Sequence, residues 1–186
     1  MAPSRTPRQR PPLDSKSLEE LALRYAGRYA TTRAKLRGYL ARKIRERGWS
    51  EPSEPDLDRI AIRFGELGYV DDAGYALAKS RALTSRGYGK RHVIEKLRFA
   101  GIGEDDGAAA LDHADSDALD SALRFAERRR IGPFAAAVPD PKQREKMIAA
   151  MVRAGHPFAL ARAIACLKPG AEVDLDELRE QAGLTP

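Results

Sequence analysis

The chain repeats itself, and this limits what it can fold into more than any other feature. The segment AKLRGYLARKIRERGW (34–49) slides by 53 residues onto a segment ending GKRHVIEKLRFAGI (89–102) without a gap. Leu40 then meets Val93, Ile44 meets Leu97, Gly48 meets Gly101 and Trp49 meets Ile102. A further shift of 54 brings KQREKMIAAMVRAGH (142–156) into line, with Met147 on Val93, Met151 on Leu97 and Gly155 on Gly101. Repeats of tens of residues mark stacked supersecondary units, each too small to bury its apolar face alone. Each unit reads as three short helices, although the first copy lacks an obvious first helix. The expected organisation is a disordered basic tail (1–14), a partial first repeat (15–52), a second repeat (53–103), a third with a trailing helix (104–168) and a C-terminal tail (169–186).

Prolines leave 13–51, 56–132 and 142–156 free, and proline is excluded from helix interiors. Ala, Leu, Arg, Glu and Lys dominate, and no long Val/Ile/Thr alternation occurs, so the chain reads as all-α, an elongated tandem repeat of three-helix units. The spacing Ser17-Leu18-Glu19-Glu20 predicts a capping box opening a helix to about Tyr29. Further helices are predicted at about 32–47 with Leu36, Leu40 and Ile44 inward, from Ser53/Pro55 to before Gly68, from Asp71 or Asp72 to about Arg86, and over about 90–100, 105–113, 117–130, 141–154, 157–167 and 174–182.

Charge is uneven. The net charge is +6, but residues 1–50 carry 13 basic and 4 acidic side chains, whereas 101–186 carry 11 and 15. A basic pole favours polyanions or acidic protein surfaces. Cys166 is the single cysteine, so an intramolecular disulfide and a thiolate zinc cluster are excluded, and a reducing cytoplasm is the expected location. No apolar run approaches the roughly 20 residues that span a bilayer, so no membrane partner is expected. His92, His113 and His156 include no i, i+4 pair, and no GxSxG, HExxH, GxGxxG or GxxxxGK[ST] occurs. Neither an enzyme, a metal site nor a cofactor is expected.

The run IRFGELGYVDDAGYALAKSRALTSRGYGKRHVIEKLRFAGI (62–102) closely resembles the central repeat of the RecX family of recombinase regulators. The features are the turn Gly68-Tyr69-Val70-Asp71-Asp72, the helix start Tyr75-Ala76, the segment Arg86-Gly87-Tyr88-Gly89, and the ending Leu97…Gly101-Ile102. Residues 30–49 resemble the first repeat, and 122–130 with 144–167 resemble the third. The resemblance covers roughly 17–167. It departs at the proline-broken stretch Ile131–Pro141, the acidic segment Glu104–Asp120, His156 in place of a bulky apolar residue, and the tail from Pro169. It implies a non-enzymatic monomer that binds the filament of a RecA-type recombinase and single- and double-stranded DNA, and that damps recombinase activity in recombination, DNA repair and the SOS response. The rival is a free-standing helix-turn-helix DNA-binding regulator, which requires a recognition helix and sequence-specific sites.

Two cation clusters are the candidate binding residues. Arg33, Lys35, Arg37, Arg42, Lys43 and Arg45, with Arg47, sit within 15 residues opposed only by Glu46. Lys79, Arg81, Arg86, Lys90, Arg91, Lys96 and Arg98 form the second cluster; Arg91 and Arg98 share a helix face, and Arg86 with Lys90 brackets a Gly-rich turn at a helix N-terminus, which has the form of a backbone anion cradle or of a plain turn. For the first cluster the alternative is a solvated helix whose last basic residues answer the helix dipole. Arg128, Arg129 and Arg130 complement a helix dipole as well as they serve binding. Asp71 and Asp72 are expected as helix caps rather than as a catalytic pair. Tyr69 and Tyr75 are expected between helices, Trp49 as a wedge between repeats, and Cys166 as a buried thiol on an apolar stripe.

Overall fold

Local signals account for ten α-helices and one 3₁₀ turn among the residues that the computed structural model describes, 11–183; none of these residues forms a sheet. The described chain divides between Asp72 and Ala73 into two compact units.

The first unit holds α1 (Ser15–Arg28), α2 (Arg33–Arg47) and α3 (Leu57–Glu66). A capping box does open α1, but one turn earlier than expected. Asp14 is the N-cap and accepts from Ser17 N at 2.8 Å, while the Ser17 hydroxyl accepts from Asp14 N at 3.0 Å. Aspartate is a strong N-cap, so Ser17 serves as the third residue of the helix. Thr32 caps α2 through its side-chain oxygen. Asp56, not Ser53 or Pro55, caps α3. The core is built on Leu13, Leu18, Ala22, Leu36, Leu40, Phe64 and Val70.

Leu13 corrects the expected tail. Residues 1–10 lie outside the described residues, but Pro11–Asp14 are docked. Leu13 is fully buried and pairs its backbone with both sides of the α2 terminus: Leu13 N donates to Gly48 O at 3.0 Å, and Ser50 N donates to Leu13 O at 2.9 Å. The Arg47 guanidinium donates to Pro11 O. Trp49 packs on this same core and gives its ring N–H to Ser53 O at 2.7 Å, so it belongs inside the first unit rather than acting as a wedge between repeats.

The second unit holds α4 (Asp72–Thr84), α5 (Lys90–Phe99), α6 (Glu104–Ser116), α7 (Ala118–Arg129), a 3₁₀ turn (Gly132–Phe134), α8 (Pro141–Arg153), α9 (Phe158–Cys166) and α10 (Leu175–Ala182); Asp72 itself falls on the other side of the division. Two apolar clusters fill it. Ala76, Leu83, Val93, Leu97, Ala110 and Ala114 join α4, α5 and α6. Small residues bring α4 and α6 together, and buried Ser80 bonds the carbonyl of Ala110 at 2.7 Å. Leu119, Phe125, Ile131, Met151, Leu160, Ile164 and Leu178 join α7 to α10. The inward stripe of α9 is Leu160, Ala161, Ile164 and Ala165, which rotates Cys166 outward, so this thiol is exposed and not buried as expected.

The three clusters show the register of the repeat. α2, α5 and α8 each run into a glycine of positive φ: Gly48 at 84°, Gly101 at 74° and Gly155 at 98°. Such a residue reverses the chain at a helix end with no side-chain penalty. The clusters make these the middle helices of α1–α3, α4–α6 and α7–α9. The repeats drawn at 53 and 104 are therefore displaced by one helix: α3 packs with α1 and α2, and the first copy does have its first helix, α1.

Candidate functional site: two basic helices

The α2 cations are largely engaged. Arg33 donates through its backbone N–H (2.9 Å) and its Nε (3.0 Å) to the buried carboxylate of Asp72. Asp72, expected as a cap, thus orients the start of α2, and Arg33 is a structural residue as much as a surface cation. Asp71 stands exposed just before α4. Arg37 reaches Asp58 of α3 at 3.0 Å. Arg42 and Lys43 share Glu46, and both lie over the Tyr39 ring, at 5.6 and 5.7 Å. Lys35 is half-buried, and its backbone N–H is taken by Thr32. Arg45 is exposed.

What the charge pattern missed is the company these cations keep. Tyr25 of α1 stacks on Tyr39 of α2 at 4.1 Å with 11° between planes, and Tyr29 leans on Tyr25 at 5.4 Å. With Arg24 and Arg28 of α1 they line a groove of about 520 Å³ that takes in Arg42 and Lys43. The signal was present as two interleaved i, i+4 pairs, Arg24/Arg28 and Tyr25/Tyr29, but only packing brings Tyr39 to them.

On α5 and in the turn before it the cations stand differently. Arg86, Arg91 and Arg98 are exposed and form no ion pair among the described residues, while Lys90 pairs with Asp115. Phe99, beside Arg98, is 87% exposed. The Gly-rich turn is a structural joint and not an anion cradle, because the chain's own carbonyls fill it: Gly89 N donates to Ala154 O at 3.0 Å and Arg91 N to Gly155 O at 3.3 Å. A Cβ on Gly89 would lie 2.4 Å from Gly155 O, and one on Gly87, whose φ is +77°, 2.8 Å from Phe125 N. His156 completes the joint. It is buried against Phe125, with Nε2 3.0 Å from the Gly87 carbonyl. A carbonyl only accepts, so Nε2 carries the proton. Burial pushes this imidazole below the usual histidine range, against a smaller upward pull from the Gly87 bond. An apolar residue there would leave the Gly87 carbonyl without this partner.

Among the structural motif residues, Gly68 has φ +74° and ends α3, with Tyr69 N and Val70 N both on Phe64 O. Tyr69 leans on Phe64 at 5.5 Å but is half exposed. Tyr75 is half-buried. Arg128, Arg129 and Arg130 line a second groove of about 580 Å³ with Gln143 and Lys146. Among the described residues no group of three or more His, Cys, Asp or Glu is placed to hold a metal, and no helix is long and apolar enough to cross a membrane.

No family model matches the chain. Individual relatives do. The regulatory protein RecX of Myxococcus xanthus is 28% identical over 162 residues, covering 79% of this chain and 83% of the relative. That of Agrobacterium fabrum is 30% identical over 132 residues, covering 69% and 71%. The crystal structure of RecX from Lactobacillus salivarius superposes with a TM-score of 0.63 over 80% of this chain and 92% of that one, at 16% identity, a likeness of fold. The triple helix–glycine repeat, the turn at Gly68–Asp72 and these relatives agree: the chain belongs to the RecX family of regulatory proteins.

Proposed function

We propose that the protein binds the filament that a RecA-type recombinase forms on DNA and damps its activity, with no chemistry of its own. Family membership supports a regulator. The observation that carries the finer reading is that each unit presents its own exposed cations: the α1–α2 groove in the first, and in the second Arg91 and Arg98 on α5 with Arg86 in the turn before it. A filament offers both phosphates and acidic side chains many times over, and separate weak contacts on one chain add through effective concentration. Hindered conformational change or exchange of recombinase subunits then lowers turnover. Neither partner calls for a cofactor, and a monomer acting in the cytoplasm suffices.

The test is ATP hydrolysis by recombinase on single-stranded DNA with increasing amounts of this protein. A dose-dependent fall is expected. Unchanged hydrolysis at protein excess, together with tight binding to one duplex sequence, would instead establish the helix-turn-helix rival.

A further inference from the structure

We propose that the groove between α1 and α2 is a binding site for unpaired nucleotides of single-stranded DNA, with Tyr29 as the stacking ring and Arg28 and Arg42 as phosphate ligands. This assignment rests on the preceding reading for the presence of DNA and adds the groove and the residues that hold an unpaired strand.

Helix packing explains only part of the arrangement. The Tyr25–Tyr39 stack at 4.1 Å fastens α1 to α2. It gives no reason for Tyr29, which is 51% exposed and continues the aromatic series outward. Nor does it explain four cations around three rings when, among the described residues, the ion pairs that answer them come from Glu20 and Glu46 alone. Glu20 pairs with Arg24, and Glu46 serves both Arg42 and Lys43. Arg28 lies over the Tyr29 ring at 5.5 Å and forms no ion pair among the described residues.

The occupant must be planar and anionic at once. A nucleotide meets both demands, because each base has a face to stack and each link a phosphate. A duplex does not, since its bases are stacked on one another and a groove of about 520 Å³ admits only one or two nucleotides. An acidic peptide would satisfy the cations and leave the rings unused. Stacking on a tyrosine tolerates any base, so the site has no sequence preference.

The experiment uses the full chain and a fluorescent oligothymidine, followed by anisotropy across a salt series. Tyr29→Ala is expected to weaken binding roughly 5- to 150-fold, the range for losing one base–aromatic stack, whereas Tyr29→Phe binds like the parent. The double variant Arg28→Gln/Arg42→Gln is expected to flatten the slope of log K against log salt by about 1.4, roughly 0.7 per phosphate on a single strand. An oligonucleotide carrying 5-bromouracil is expected to photo-crosslink within α1 or α2. Circular dichroism and melting of each variant separate lost contact from lost fold, and Tyr29→Phe keeps the packing while preserving the ring. The proposal is overturned if Tyr29→Ala binds oligothymidine like the parent, if crosslinks fall only on other helices, or if polyglutamate displaces the oligonucleotide at lower concentration than unlabelled DNA does. Recombinase ATP hydrolysis with the same variants keeps the two readings apart. Inhibition by the parent with Tyr29→Ala still binding DNA removes the groove and leaves the regulator. Loss of DNA binding in Tyr29→Ala with no inhibition by the parent does the reverse.

Discussion

Helices α2 and α5 hold the same place in the repeat and are both rich in cations, yet their surroundings have little in common. In α2 most of the charge is spoken for by Asp72, Asp58, Glu46 and Tyr39. In α5, Arg91 and Arg98 point into solvent, while its N-terminal backbone is closed by the turn after α8. A shared richness in cations therefore conceals different surroundings. In α2 the cations build a surface with the rings around them, whereas in α5 the backbone builds the joint and Arg91 and Arg98 stand in solvent.

The largest test of that contrast uses glycines. Gly38 lies on the exposed side of α2 with nothing within 4 Å of a Cβ, while Gly89, at the head of α5, faces the Gly155 carbonyl. Gly89→Ala is expected to cost about 3 kcal/mol, because two backbones must separate to admit the methyl group. Gly38→Ala is expected to add about 0.5–1 kcal/mol by removing backbone entropy from the unfolded chain. Urea unfolding of both variants measures the difference. Similar, small changes would show that α5 is not locked at its start.

A middle-sized effect separates structural cations from free ones. Asp72→Ala is expected to cost about 1–3 kcal/mol, since it strands the Arg33 N–H that its carboxylate accepts. Arg91→Gln and Arg98→Gln are each expected to stay within about 0.5 kcal/mol of the parent while weakening inhibition of recombinase hydrolysis. Thermal melts with the hydrolysis assay check both halves.

The smallest expected effect is a pH dependence carried by two histidines of the second unit. Burial lowers the His156 titration below its ordinary value near 6.5, and the same holds for His92, where burial and Lys96 outweigh Glu95. The folded state then binds fewer protons than the unfolded state. Stability from these groups is full above about pH 6.5 and falls as acidification charges the unfolded chain more readily. Protonating His156 would also add an N–H at Nδ1, which has no partner among the described residues. Gln keeps a donor for the Gly87 carbonyl without titrating, so His156→Gln is expected to lose less stability than the parent between pH 7 and 5. Parallel melting curves for the two proteins across that range would remove His156 as the cause.

Much of the fold was legible in sequence because helix starts and stops are local. Thr32 and the glycines at 48, 101 and 155 act on residues within one turn. Errors came where two neighbours compete for one local role, as Asp14 and Ser17 do at α1, or where a short apolar segment finds a distant partner, as Leu13 does at Gly48. Cys166 was misplaced because its stripe on α9 is only nine residues long and a one-residue rotation turns it outward.

The sequence alone determined that this chain is helical, that it repeats about every 53 residues, and that its excess of basic charge lies in residues 1–50. Those properties follow from backbone preference, capping and composition, which act over a few residues. Only the tertiary structure decided which three helices share a core, which cations remain free and where the tyrosines meet. Each of those outcomes depends on groups far apart in the chain: Arg33 and Asp72 are 39 residues apart, and Gly87 and His156 are 69 apart. A charge or carbonyl acquires its role from whatever packing places within about 3 Å of it, and no local pattern encodes that neighbour.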